Sequence, residues 1–181
     1  MKQVLIAYGT RYGSAEIVAD DIGSYLKGNG LQVDIVNLRE EKFLGNLRDY
    51  NLVIAGSSVA MFSWVGKVKR FLKKCRKAGI SPVVYICCGT AIESPEKAQT
   101  RFLDKVIQKI GLNPVLTQSI APVIDFRPEQ GLPEKTKKHI NRNIRGMAKE
   151  NFLESGLMDF RNKDRFNNFL EEILNILQFG K

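Results

Sequence analysis

The sequence predicts a single α/β domain, residues 1–181, built as a doubly wound parallel sheet of five strands with covering helices. Three observations predict it. Short apolar runs alternate with longer amphipathic stretches in a βαβα rhythm. Most of the apolar runs are continuous rather than alternating, as in parallel strands covered on both faces. The first run breaks into the turn "GTRYGS" before a helical pattern begins, as a strand-to-helix connection at the end of such a sheet does.

The candidate strands are Gln3 to Tyr8, Leu31 to Val36, Leu52 to Gly56, Val83 to Cys88 and Val115 to Ile124. Between the first two, Ile17, Val18, Ile22, Tyr25 and Leu26 make a helical stripe that stops near Gly28 and Gly30. After the third, Val65, Val68, Phe71, Leu72 and Cys75 make a second stripe. The helix after the fourth strand opens on Ser94-Pro95-Glu96, a cap residue, a proline at the first helical position and an early acid. Its stripe of Leu103, Val106, Ile107 and Ile110 ends at Gly111. A last helix spans about Asp164 to Gln178 and buries Phe166, Phe169, Leu170, Ile173, Leu174 and Leu177.

Composition removes several classes of function. A chain of 181 residues with 44% hydrophobic content suits one domain with a real core. It has no apolar run of about 18 residues and no signal-peptide pattern, so a soluble, cytoplasmic protein is expected. Cys75, Cys87 and Cys88 are odd in number and lack metal-ligand spacing, which disfavours a disulfide framework and a zinc site. No metal ligands are assigned. Vicinal Cys87 and Cys88 fall on a strand, where alternation sends them to opposite faces as small buried residues. His139 lies in a basic polar helix and receives no role.

The net charge of +9 is local: residues 66–77 carry seven Lys/Arg and no acid, and residues 126–149 carry seven against Glu129 and Glu134. The remainder is net negative, so two basic faces are expected. On the first, the cations stand opposite the apolar stripe. They form either a solvated face or a surface for an anionic partner such as an acidic redox protein, an anionic small molecule or an anionic lipid. Nucleic acid is disfavoured, because no recognition fold or aromatic platform accompanies the charge.

In doubly wound sheets, ligands sit at the carboxyl ends of strands, where the winding reverses. That makes residues 9–15, 57–66 and 89–94 the loops of interest. In the first, a glycine-bearing turn gathers backbone N–H groups, Thr10 and Ser14 add hydroxyls, and the following helix directs its positive end inward. This suits a phosphate. The alternative is a plain strand-to-helix turn with Ser14 as N-cap. No G-x-G-x-x-G or G-K-[ST] is present, which disfavours dinucleotides and nucleoside triphosphates. Gly9-Thr10 and Gly56-Ser57 stand where a magnesium-dependent phosphoacceptor would need acids.

"YGTRYGSAEIVA" resembles the phosphate loop of flavodoxin-like proteins, with hydroxyls at Thr10 and Ser14 around Gly13. The resemblance continues through "VIAGSSVAMFSWVGKVKRFLKK", "SPEK" and "FRNKDRFNNFLEEI", and is nearest to the flavodoxin-domain proteins similar to menaquinone-dependent protoporphyrinogen IX dehydrogenases. It implies a flavodoxin-like sheet of order 2-1-3-4-5 and FMN as cofactor, with Thr10, Arg11, Tyr12, Gly13, Ser14 and Ala15 at the phosphate. Ala15 stands where many flavodoxins have threonine, a difference of about 1 kcal/mol for one neutral hydrogen bond. "GTAIESPE", residues 89–96, lacks the aromatic that flavodoxins often stack on the flavin.

For the flavin ring, the resemblance implies backbone contacts from Ser58, Val59 and Ala60 and from Cys88, Gly89, Thr90 and Ala91. Met61, Phe62 and Trp64 offer polarizable or aromatic cover. Phe62 is the stronger candidate; Trp64 reads equally as ring cover and as core. Residues 126–163 extend the fold between the fifth strand and the last helix, and the resemblance marks this extension for substrate or peripheral membrane contact. Two functions follow. In one, FMN takes electrons from a reduced organic substrate, by resemblance protoporphyrinogen IX, and passes them to a quinone or other acceptor. In the other, the protein is a non-enzymatic electron carrier that docks partners through a basic face. No catalytic acid–base residue is assigned, because the flavin carries the redox chemistry.

Overall fold

The computed structural model describes residues 2–125, Lys138 and residues 156–180. Apart from Lys138, the second basic segment lies outside the described residues, including His139, Ile140, Ile144 and Met147, as does most of the extension 126–163.

Strand β1 (Gln3–Gly9) leads into helix α1 (Ser14–Gly28), followed by β2 (Gln32–Asn37) and β3 (Leu52–Ala60). A short β4 (Ser63–Trp64) precedes α2 (Gly66–Lys77) and β5 (Val83–Cys87). Two single-turn helices, α3 (Thr90–Glu93) and α4 (Pro95–Ala98), run through a π-helical segment at Gln99–Asp104 into α5 (Lys105–Ile110). Then come β6 (Leu116–Ile120), β7 (Val123–Asp125), β8 (Leu157–Asp159) and α6 (Lys163–Phe179).

The parallel strands lie in the order β2-β1-β3-β5-β6, the expected 2-1-3-4-5 once the short antiparallel β4 is set aside. One face of the sheet packs on α1 and α6 through Val18, Ile22, Leu26, Phe169, Ile173 and Leu177. The other packs on α2 and the α4–α5 run through Val68, Phe71, Leu72, Phe102, Leu103 and Ile107. Each large side chain so buried contributes about 1.5–3 kcal/mol. Cys87 and Cys88 fall into opposite layers, as strand alternation requires, and both thiols are free.

Three boundaries differ from expectation. The run from Val115 to Ile124 is not one strand: it leaves the parallel sheet after Ile120, and beyond Ala121-Pro122 it forms β7, which pairs antiparallel with β8. Pro122 has no N–H with which to continue a ladder. β3 runs on to Ala60 and folds back as a hairpin, so residues 57–66 are mostly strand rather than open loop. Residues 89–94 contain the helical turn α3. The helix after it starts as expected, with Ser94 Oγ accepting from the Lys97 amide at 3.2 Å, and α5 ends on Gly111.

Gly56 ties the sheet to the site. It faces Tyr85 across the β3–β5 ladder, and a Cβ there would stand 2.0 Å from Tyr85 Cζ. Without it, Tyr85 lies across the strand, and its hydroxyl donates to the Ala15 carbonyl at 2.8 Å. The first turn of α1 is thereby anchored to the middle of the sheet.

Candidate functional site

The turn between β1 and α1 is shaped by Gly13, which has φ 83° and ψ −26° and is the N-cap of α1 without any side-chain cap. Ser14 is therefore the first helical residue and not the cap. Its hydroxyl accepts from the Val123 amide at 3.1 Å. Among those residues the amides of Tyr12, Gly13, Ser14 and Ala15 donate to no carbonyl or side chain. Amides at a helix start have no partner within the helix, and this left-handed turn aligns more of them with the positive end of the helix dipole.

Thr10 makes the same point with a side chain. It is 7% exposed, and its Oγ1 is buried with no hydrogen-bond partner. A buried hydroxyl left unpaired costs about 1–3 kcal/mol, so a ligand that accepts from it gains what the free protein forgoes. Orphan hydroxyl and uncommitted amides together are the donor set a phosphate monoester needs, and they fit the phosphate of FMN.

The neighbouring cations buttress the turn. The Arg11 amide donates to Ser58 Oγ at 3.0 Å, and its guanidinium donates to the Ser63 carbonyl at 2.6 Å and the Trp64 carbonyl at 3.1 Å. Arg39, which the sequence did not single out, donates from Nη1 to the Thr10 carbonyl at 2.8 Å. The positive character of the cradle thus rests mainly on backbone dipoles.

The second loop is a hairpin whose tip is strained. Met61 at φ 47° and Phe62 at φ 60° occupy its two central positions, where asparagine and glycine are usual. Positive φ at such residues costs on the order of 1 kcal/mol or more each. At this tip Met61 is 90% and Phe62 75% exposed. Phe62 is not loose: its ring lies over Phe102 at 6.0 Å and 29°, and the Arg101 guanidinium caps both rings at 5.4 and 5.3 Å. Trp64 takes the core reading, at 3% exposure with Nε1 donating to the Phe102 carbonyl at 2.8 Å. Ser58 is buried, and Val59 and Ala60 are half-buried beside the tip.

In the third loop the chain commits several of the groups expected at the ring edge. The Cys88 amide donates to the Ile120 carbonyl at 3.1 Å, and the Ala91 amide turns back to the Cys88 carbonyl at 3.1 Å. The carbonyls of Gly89 and Thr90 accept from Ile92 and Ser94. Gly89 stays exposed, and its amide donates to no carbonyl among the described residues. Burial pushes the Cys87 thiol up to about 12 despite a hydrogen bond from the Ser14 side chain, and burial also raises Cys88. Both stay protonated at neutral pH.

Behind the first loop, the Tyr8 hydroxyl donates to Glu16 at 2.9 Å; burial and that carboxylate raise the phenol well above its ordinary value. Arg161 meets Asp21 of α1 at 2.6 Å and Asp159 at 2.7 Å. Burial works against its charge, but the two carboxylates outweigh it and raise the pKa. Arg39, Arg101, Phe102 and Arg161 were missed because each acts across long sequence separations that no local motif marks. Among the described residues, no group of His, Cys, Asp or Glu could hold a metal ion. None of the described helices is long and apolar enough to cross a membrane.

The strand order, with the β1–α1 turn and the β3–β4 hairpin joined at the carboxyl end of the sheet, defines a doubly wound α/β protein with its open turn at the switch point. Within that class the chain belongs to the flavodoxin-domain family, which matches residues 5–148. Among solved structures, oxidised flavodoxin 1 from Bacillus cereus is 15% identical, with TM-score 0.50, covering 81% of this chain and 99% of that one. Oxidised flavodoxin 2 from Bacillus cereus is 23% identical, with TM-score 0.46, covering 78% and 95%. A flavoprotein from Lactobacillus acidophilus NCFM, solved in complex with FMN, is 18% identical, with TM-score 0.45, covering 66% and 93%. No curated protein matches the chain in sequence.

Proposed function

We propose that this protein binds FMN at the β1–α1 turn and is an oxidoreductase that takes electrons from a reduced organic substrate and passes them to a quinone or another acceptor. The observation that carries the reading is the orphan hydroxyl of Thr10 beside the uncommitted amides of Tyr12 to Ala15. Thr10 and those amides would hold the phosphate, and Arg11 and Arg39 would keep the turn in shape through Ser58, Ser63, Trp64 and the Thr10 carbonyl. The backbone of Ser58 to Ala60 and the uncommitted Gly89 amide would meet the ring edge, with Cys88 buried just beyond β5. Phe62 and Met61 would cover the ring and limit water. Bound FMN would supply reversible electron and hydride transfer. The buried, protonated thiols of Cys87 and Cys88 take no part.

Protoporphyrinogen IX is the substrate we propose first, on the similarity of the ordered segments named above to the protoporphyrinogen dehydrogenases. The electron-carrier reading is favoured by one observation: α2 carries seven cations that form no ion pair among the described residues, a surface for an acidic redox protein. The two separate in one assay. The FMN-loaded protein is mixed anaerobically with protoporphyrinogen IX and a menaquinone analogue, and porphyrin fluorescence is followed. Turnover supports the enzyme; failure to turn over, with electron delivery to an acidic carrier protein, supports the carrier. Failure of the folded protein to take up FMN overturns both.

A further inference from the structure

We infer a second ligand site, for a small apolar anion, in the groove between the segment after β2 and the outer face of α2. Its floor is Leu38, Phe43 and Phe71, with Phe43 set edge-on to Phe71 at 6.1 Å and 86°. Phe43 can lie there because Gly45 has no side chain; a Cβ would stand 2.8 Å from Phe43 Cζ. Around this floor stand Lys42, Lys67, Arg70 and Lys74, against the single acid Glu41.

Size and charge define the occupant. The groove, open to solvent on one side, offers about 210 Å³, room for a bicyclic aromatic body or a chain of similar bulk to lie on its floor. Among the described residues none of the four cations is in an ion pair. Lys67 spends one donor on the Arg39 carbonyl at 2.7 Å and keeps two. An aromatic carboxylate satisfies both halves: rings on the phenylalanines and the anion among the ammonium and guanidinium groups. The site is separate from the proposed flavin cradle, and stands or falls independently of it. The two adjoin through Arg39, which bonds Thr10 on one side and Lys67 on the other.

The test is calorimetric titration of the intact protein with 2-naphthoate and with its neutral relative 2-naphthylmethanol. Binding of the carboxylate is expected, weakening as salt rises, with the alcohol at least about tenfold weaker. The double variant Arg70→Gln, Lys74→Gln should weaken 2-naphthoate by about tenfold. Lys73→Gln, Lys77→Gln removes the same charge from exposed positions of the same helix outside the groove, and should change binding by less than about twofold. Equal losses in the two variants would reduce the effect to net charge and overturn the site. So would equal affinity for acid and alcohol, or no binding by the folded protein.

Discussion

Placing a negative charge at residue 13 separates a phosphate cradle from an ordinary strand-to-helix turn. A Cβ at Gly13 meets nothing within 4 Å, so the only conformational obstacle is its φ of 83°. Asn and Asp tolerate that region better than other residues and match each other in size. Gly13→Asn therefore measures the backbone cost and Gly13→Asp adds charge alone. A carboxylate there would stand about 5 Å from an anion held by the adjacent amides. Between effective dielectrics of 80 and 20, the repulsion is about 1–3 kcal/mol. FMN affinity of Gly13→Asp should fall about 5- to 150-fold below that of Gly13→Asn. Riboflavin, which lacks the phosphate, should distinguish the two variants by less than about twofold. Quenching of flavin fluorescence reads both ligands. Equal FMN affinity in the two folded variants would refute a phosphate at this turn.

Thr10→Val removes the orphan hydroxyl while keeping the shape, so it should raise the thermal midpoint of the ligand-free protein slightly. The same change should weaken FMN by about 1.5–3 kcal/mol, or about 10- to 150-fold, since the lost bond is to a charged group; a lower midpoint together with unchanged affinity would contradict the assignment. A third prediction concerns alkali. Cys87 is raised from 9.0 to about 12 by burial, as is Cys75, and burial and Asp34 raise Tyr50 from 10.0 to about 12. Groups raised on folding bind protons more tightly in the native state, so their stabilisation is complete below their unfolded values and is lost as pH climbs toward about 12. The urea midpoint should hold up to about pH 9 and then fall, less steeply in Cys87→Ala.

The parallel strands were legible mainly because a strand covered on both faces reads as a continuous apolar run, as residues 4–7 of β1, residues 52–55 of β3 and the whole of β5 do, while their order came from the family resemblance. β2, half exposed at the sheet edge, was found through its own apolar residues and its place after the Gly28–Gly30 stop. The β1–α1 turn was legible because Gly13 and the hydroxyls of Thr10 and Ser14 are local signals. What stayed hidden depends on partners distant in sequence. Nothing in "VAMFSW" announces a tight hairpin, because Met61 and Phe62 take a backbone conformation their side chains disfavour. The break at Ala121-Pro122 is set by the pairing of β7 with β8, some 30 residues on. Trp64 could be placed only once Phe102 offered its carbonyl.

That bond has an optical consequence. Trp64 is the sole tryptophan of the chain, and its indole is pinned to the residue that carries Phe62. Its emission should be blue-shifted while the hairpin is seated and should move to the red if the tip swings away from the π-helical segment. The chain thus contains an intrinsic gauge of the very loop proposed to cover the flavin, and needs no attached dye to report on it.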